Sequence, residues 1–94
     1  MLWKTLTDQI QELEGLGLVR SSSQATGHGS QWVHVDGDGY VGTITFWPER
    51  RFELQFNSSQ TGAVLVLDTK EFDRAEDLTN YVTALWAEKL ARVP

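Results

Sequence analysis

Apolar side chains at the start of the chain recur with the spacing of a helix. The intervals between them are four, four and three residues, which places them on one helix face. These apolar residues are Leu2, Leu6, Ile10 and Leu13. Gly15 follows the last of them, and a glycine just past the final turn is a common helix end. We therefore expect a first helix over about residues 2–14.

Between Leu18 and Thr69 the apolar spacing changes to two, the period of a β-strand. The serine-rich segment 18–24 is a weaker strand candidate than the four segments that follow. Those four lie at about residues 32–36, 40–47, 51–56 and 63–67. All connections between them are short, which favours an antiparallel meander over parallel crossovers. The sequence thus predicts four or five strands in one antiparallel sheet.

Turn residues separate these strands. Asp36-Gly37-Asp38-Gly39 is a strong hairpin signal, because glycine accepts the positive φ angles of tight turns. Pro48-Glu49 suits a second turn, since proline presets φ at the second turn position. Residues 57–62 form a polar loop, and we expect a mobile loop over residues 24–30.

A second helix is predicted through about residue 91. Asp73 and Glu76 have the spacing of a capping box near the start of this helix, which we expect over about residues 72–91. A broad apolar stripe follows at helical spacing. Its members are Leu78, Tyr81, Val82, Leu85 and Trp86. The chain is therefore predicted to be a single α+β domain over residues 1–94, with an antiparallel four- to five-stranded meander and both terminal helices packed on the sheet.

Charge and composition narrow the possible partners. The 94 residues are 40% apolar, enough for one core, and carry a formal net charge of −5. Because that charge repels phosphate groups, we expect neither a nucleic acid nor a membrane as partner. Cysteine is absent, which excludes disulfides, thiolate metal sites and a cysteine nucleophile. The start of the chain lacks a signal-peptide pattern and no apolar stretch could span a bilayer, so we expect a cytoplasmic protein.

Candidate catalytic chemistry is sparse. His28 lies in a glycine-flanked loop segment, and His34 lies two residues from Asp36 without a serine in a nucleophile-elbow sequence. The Asp36–Gly39 turn resembles the opening of a calcium loop, but the twelfth position is Trp47 instead of glutamate. We expect no catalytic residue, no metal and no cofactor, and therefore a protein that is not an enzyme.

Strand alternation predicts a binding surface. If the apolar members of the strands face the helices, the opposite face carries two tryptophans with charged and polar neighbours. These apolar members are Val33, Val35, Ile44, Phe46, Phe52, Leu54 and Phe56. Tryptophan and arginine often anchor protein interfaces, so five of these residues are our candidates for partner binding. They are Trp32, His34, Trp47, Arg51 and Glu53, in the company of Thr43, Thr45 and Gln55. An equally open alternative is that the tryptophans only cover the sheet or pack against a loop.

Two further features leave alternatives open. The apolar run at 63–67 requires cover on both faces, although a meander would place it at an edge. The second helix, a partner or a second copy of the chain could provide that cover. Acidic residues also surround the start of the second helix, where the helix dipole explains them better than a basic partner does. They are Asp68, Glu71, Asp73, Glu76 and Asp77.

The predicted order of helix, meander and helix resembles that of small acidic immunity proteins in bacterial polymorphic toxin systems. It is most similar in layout to the TriTu-type immunity proteins associated with ADP-ribosyltransferase toxins. The resemblance spans the whole chain and implies a stoichiometric inhibitor that blocks a cognate toxin's active site or substrate access. An alternative is a small acidic secretion chaperone, which would hold an extended effector segment by strand addition, with the strand at 63–67 as its docking edge.

Overall fold

A computed structural model describes residues 2–25, 30–48 and 50–90 of the chain. Within these residues it contains two α-helices, five strands and one π-helical turn. They are α1 (Leu2–Gly15), β1 (Val19–Ala25), β2 (Gln31–Gly37), β3 (Tyr40–Trp47), β4 (Arg51–Ser58), β5 (Val64–Glu71), α2 (Ala75–Leu85) and the π-turn Trp86–Leu90. The predicted α+β class is confirmed.

The strands form one antiparallel sheet in the order β1-β2-β3-β4-β5. The predicted meander is therefore confirmed, with the weakly predicted serine-rich segment as its first strand. Gly39, in the turn between β2 and β3, has a φ of 87°, a left-handed conformation that glycine adopts without steric cost. Two other predicted connections lie partly outside the described residues. The loop at 24–30 lacks residues 26–29, which include His28, and the turn at Pro48 lacks Glu49.

Both helices pack against one face of the sheet, which we call the closed face. It carries the side chains that the alternation assigned to it, together with Val66 of β5. These are Val33, Val35, Ile44, Phe46, Phe52, Leu54, Phe56 and Val66. All of them except Phe46 are at most 3% exposed, and burying such a side chain stabilises a fold by about 1.5–3 kcal/mol. Phe46 is partly buried because it lies at the margin, where its ring stacks on Trp3 with centroids 6.2 Å apart.

A hydrogen bond ties the π-turn to the middle of the sheet. Trp86 Nε1 donates to the Tyr40 hydroxyl over 2.8 Å, and both side chains are buried. The Phe56 ring meets both of them edge-on, at centroid distances of 6.0 Å from Tyr40 and 5.6 Å from Trp86. Burial raises the pKa of the Tyr40 hydroxyl above its ordinary value, although the Trp86 bond offsets part of that rise.

Tyr81 joins α2 to β5. Its hydroxyl donates to the Asp68 carboxylate over 2.8 Å, and the Lys70 ammonium lies 5.7 Å from the ring centroid. Burial raises the pKa of Tyr81 well above its ordinary value, and the Asp68 carboxylate adds to the rise. One acidic residue of the predicted cluster therefore has a structural role, in holding α2 over the last strand.

The predicted capping box at Asp73 is wrong. The N-cap of α2 is Arg74, whose backbone is extended and whose carbonyl accepts the Leu78 N–H over 3.3 Å. No side chain caps this end. Asp73 lies 3.9 Å from the Arg50 guanidinium, and Glu76 accepts a 2.6 Å bond from Arg74. The acidic first turn still complements the helix dipole, as the sequence suggested.

Candidate protein-binding face

The second face of the sheet points away from the helices, and we call it the open face. Strand register brings its side chains into rows that cross the sheet. Trp32 lies opposite Thr45, which lies opposite Glu53 on the next strand. On β2 to β5 the register places these residues on the open face: Trp32, His34, Asp36, Val41, Thr43, Thr45, Trp47, Arg51, Glu53, Gln55, Asn57, Leu67, Thr69 and Glu71.

The five candidate binding residues all lie on this face, on three adjacent strands. Trp32 and His34 belong to β2, Trp47 to β3, and Arg51 and Glu53 to β4. Since neighbouring strands are about 4.8 Å apart, the set extends roughly 10 Å across the sheet. Both tryptophans are partly buried, so each retains accessible surface.

Trp47, Arg51 and Glu53 form a compact group at one end of the face. The Arg51 guanidinium carbon lies 5.5 Å from the centroid of the Trp47 ring, which is cation–π geometry. Arg51 Nε is also 3.7 Å from a Glu53 carboxylate oxygen, and both side chains are more than one-third exposed. An exposed cation–π contact contributes about 0.5–1 kcal/mol. The contact thus favours one arrangement of the Trp47 and Arg51 side chains by a modest amount.

Two donors in this group lack a hydrogen bond within the described residues. Trp47 Nε1 and Arg51 Nε are both shielded from solvent and unpaired there, Arg51 Nε being in ion-pair range of Glu53 only. A shielded donor without an acceptor costs about 1–3 kcal/mol.

Much of the rest of the open face is polar. His34 Nδ1 and Thr43 Oγ1 lie 3.4 Å apart on neighbouring strands. A hollow of about 150 Å³ lies between β3 and β5. Its lining includes Thr43, Thr45, Glu53, Gln55, Leu67 and Thr69. The open face therefore offers hydrogen-bonding groups around its aromatic members, as the rim of a protein interface does.

Leu67 is an open-face residue that the sequence reasoning missed. It is 69% exposed and lines the hollow beside Gln55, its partner on β4. The sequence did contain a signal for an exposed apolar residue here, because the apolar run at 63–67 requires cover on both faces of the sheet. The helices cover only the closed face, which leaves Leu67 and Val64 uncovered.

A second apolar surface lies on the helical side. A groove of about 370 Å³ runs between the end of α1 and the second helix. Leu16 and Leu18 border it and are 73% and 53% exposed. Sequence periodicity did not single out this groove, because these two leucines fall in the break between helix and strand.

Other kinds of site were sought among the described residues. Residues 2–25, 30–48 and 50–90 contain no group of three or more His, Cys, Asp or Glu side chains placed to hold a metal ion. In the same part of the chain, every helix is too short or too polar to cross a membrane.

Comparison with known families agrees with the architecture. The family model described as "Immunity protein TriTu" matches residues 2–88, from the start of α1 into the π-turn. A search among curated proteins finds no significant match. Because the family match covers nearly the whole chain, this protein belongs to the TriTu family of immunity proteins.

Proposed function

We propose that this protein neutralises a cognate toxin in the cytoplasm by binding it stoichiometrically through the open face. The observation that carries the proposal is the placement of Trp32, Trp47 and Arg51 together on a face that neither helix covers. Aromatic and arginine side chains supply most of the binding energy in protein interfaces. Membership of the immunity family supports a toxin as the partner.

Inhibition by occupancy requires only a complementary surface. A toxin covered by the open face would lose access to its substrate or to its target. We further propose that the toxin is an ADP-ribosyltransferase, in line with the resemblance in layout to immunity proteins that are associated with such toxins. On this account Trp32 and Trp47 fill apolar depressions on the toxin. Arg51, His34 and Glu53 set the orientation of the complex.

Truncation of the tryptophans tests the proposed face. Trp32→Ala and Trp47→Ala should each weaken toxin binding at least about 30-fold, because truncating an aromatic anchor costs about 2 kcal/mol or more. The measurement is isothermal titration calorimetry with the cognate toxin domain. Trp3→Ala is the matched control, since Trp3 is also partly buried but lies on the helical side. The affinity of Trp3→Ala for the toxin domain should stay within about threefold of that of the parent chain.

Charge reversal tests the polar part of the face. Arg51→Glu should abolish protection in a growth assay with the toxin, whereas Arg74→Glu, on the exposed N-cap of α2, should retain it. Melting temperatures of all variants separate lost binding from lost folding. Full affinity in both tryptophan variants and in Arg51→Glu would remove the open face as the site.

A secretion chaperone remains the second candidate, because of β5. This edge strand exposes Val64 and Leu67, and an extended client segment could add to it. Stoichiometric inhibition of the folded toxin's transferase activity would favour immunity. Binding of an isolated, unfolded effector peptide, without inhibition, would favour the chaperone.

A further inference from the structure

The two edges of the sheet differ in what they expose. β1 is serine-rich, and α1 packs against it. β5 carries Val64 at 56% and Leu67 at 69% exposure, and its outer backbone groups have no neighbouring strand in the sheet order. The unpaired backbone groups of such an uncovered edge can accept another strand.

A bulge limits where a strand could add regularly to β5. Phe56 pairs with Val66 and Asn57 with Val64, so Leu65 is an extra residue in the ladder. The regular part of β5 therefore runs from Val66 to Glu71.

Symmetry restricts the pairing of β5 with a second β5. Antiparallel strands in one sheet are related by a two-fold axis perpendicular to it, and residues directly opposite each other share a face. One residue must therefore lie opposite its own copy. Within residues 66–71, only axes at Asp68 or at Thr69 pair five residues of each strand.

The charges on β5 distinguish these two registers. An axis at Asp68 places that carboxylate opposite its own copy, which is repulsive. An axis at Thr69 places Asp68 opposite Lys70 of the second copy, and Lys70 opposite Asp68, so two opposite-charge pairs form on the closed-face side. On the open-face side the same register places Leu67 opposite the methylene groups of Glu71 in the second copy. The strand is thus self-complementary in charge.

We propose that β5 pairs with β5 of a second copy of this chain, antiparallel about Thr69, to form one ten-stranded sheet. The two-fold axis keeps both open faces on the same side of that sheet. Such a dimer would hold two toxin sites side by side, but its formation does not depend on the toxin.

A charge swap tests both the dimer and its register. Sedimentation velocity should find the full chain dimeric. The dissociation constant of the dimer should be at least tenfold higher for Lys70→Glu and for Asp68→Lys. Each of these variants places two like charges opposite one another at two positions in the dimer. The double variant D68K/K70E should recover the parent constant. Lys4→Glu makes the same charge change on α1, which packs at the opposite edge, and should have no effect. Circular dichroism checks folding, because Asp68→Lys also removes the Tyr81 bond.

Three results would overturn the proposal. The first is a chain that stays monomeric at millimolar concentration. The second is a dimer that Lys70→Glu does not weaken or that the double variant does not restore. The third is a monomer whose β5 amides become protected from hydrogen exchange only on adding the toxin domain, which would assign this edge to the toxin.

Discussion

The closed and open faces are built from alternate residues of the same strands, yet they carry opposite roles. Ile44 and Leu54, paired across β3 and β4, are at most 2% exposed. One residue farther along each strand, Thr45 and Gln55 lie on the open side, where Gln55 is exposed and Thr45 partly so. The contrast follows from a single cause, which is that both helices pack on one side. A small domain of this design can vary one face for recognition without altering its core.

The aromatic residues of the two faces also differ in their ring contacts and hydrogen bonds. On the closed face, Tyr40, Phe56 and Trp86 pack edge-on, and the Trp86 donor is satisfied by Tyr40. On the open face, Trp47 stacks only with Arg51, and its donor has no partner within the described residues. Similar side chains are thus buried and hydrogen-bonded on one face and partly exposed on the other.

Removing a closed-face ring should have the largest effect on stability. Phe56→Ala deletes a fully buried side chain that contacts both Tyr40 and Trp86, so we expect a loss of about 3–5 kcal/mol. Gln55→Ala, one residue away on the open face, should change the free energy of unfolding by less than about 0.5 kcal/mol. Urea denaturation measures both. Equal losses would break the distinction between the faces.

Adding a methyl group at Gly42, on the closed face, should have the next largest effect on stability. Gly42 lies opposite Phe56, and an added methyl group would overlap the Gln55 carbonyl oxygen and the Phe56 ring. We expect Gly42→Ala to cost about 1–3 kcal/mol in urea denaturation. Gly15→Ala is the control, because no atom lies within 4 Å of the added carbon there. A neutral Gly42→Ala would mean that the closed face is looser than the structure has it.

Alkaline pH should act through the closed-face tyrosines, with a smaller effect. The pKa of Tyr40 and of Tyr81 is raised in the fold, whereas an unfolded tyrosine ionises near pH 10. The unfolded state therefore loses these protons first. Below about pH 10 both tyrosines are protonated in either state and leave the free energy of unfolding unchanged. Above about pH 10 the free energy of unfolding should fall as the pH rises.

The doubly substituted Tyr40→Phe, Tyr81→Phe chain separates this effect from the titration of lysines. Its melting temperature should be lower than that of the parent at pH 8 but should decline less steeply between pH 10 and 11.5. An identical decline in both chains would contradict the raised pKa values.

Much of the fold could be predicted because local patterns agree with the tertiary structure. The period-two alternation in β4 assigned Phe52, Leu54 and Phe56 to the core side, and all three are buried. The predicted hairpin at Asp36–Gly39 is where β2 meets β3. These features depend on neighbouring residues only, and burial on one side reinforces them.

The remaining features depend on contacts between distant residues. The Trp86–Tyr40 bond joins positions 46 residues apart, which no local spacing reveals. The N-cap of α2 is Arg74 and not Asp73, because the spacing of Asp73 and Glu76 does not reveal that the Arg74 carbonyl accepts the first helical bond. For the candidate site, alternation predicted which residues share a face, but not that Arg51 stacks on Trp47 or that Leu67 extends the surface.

The four tryptophans allow the proposed open-face site to be tested in one experiment. Trp32 and Trp47 lie on the open face, while Trp3 and Trp86 lie on the helical side. Hydroxyl-radical footprinting with mass spectrometry measures the accessibility of each ring, free and in complex with the toxin domain. We predict that Trp32 and Trp47 lose most of their reactivity in the complex while Trp3 keeps its own. Protection of Trp3 with unchanged Trp32 and Trp47 would place the toxin on the helices and contradict the account.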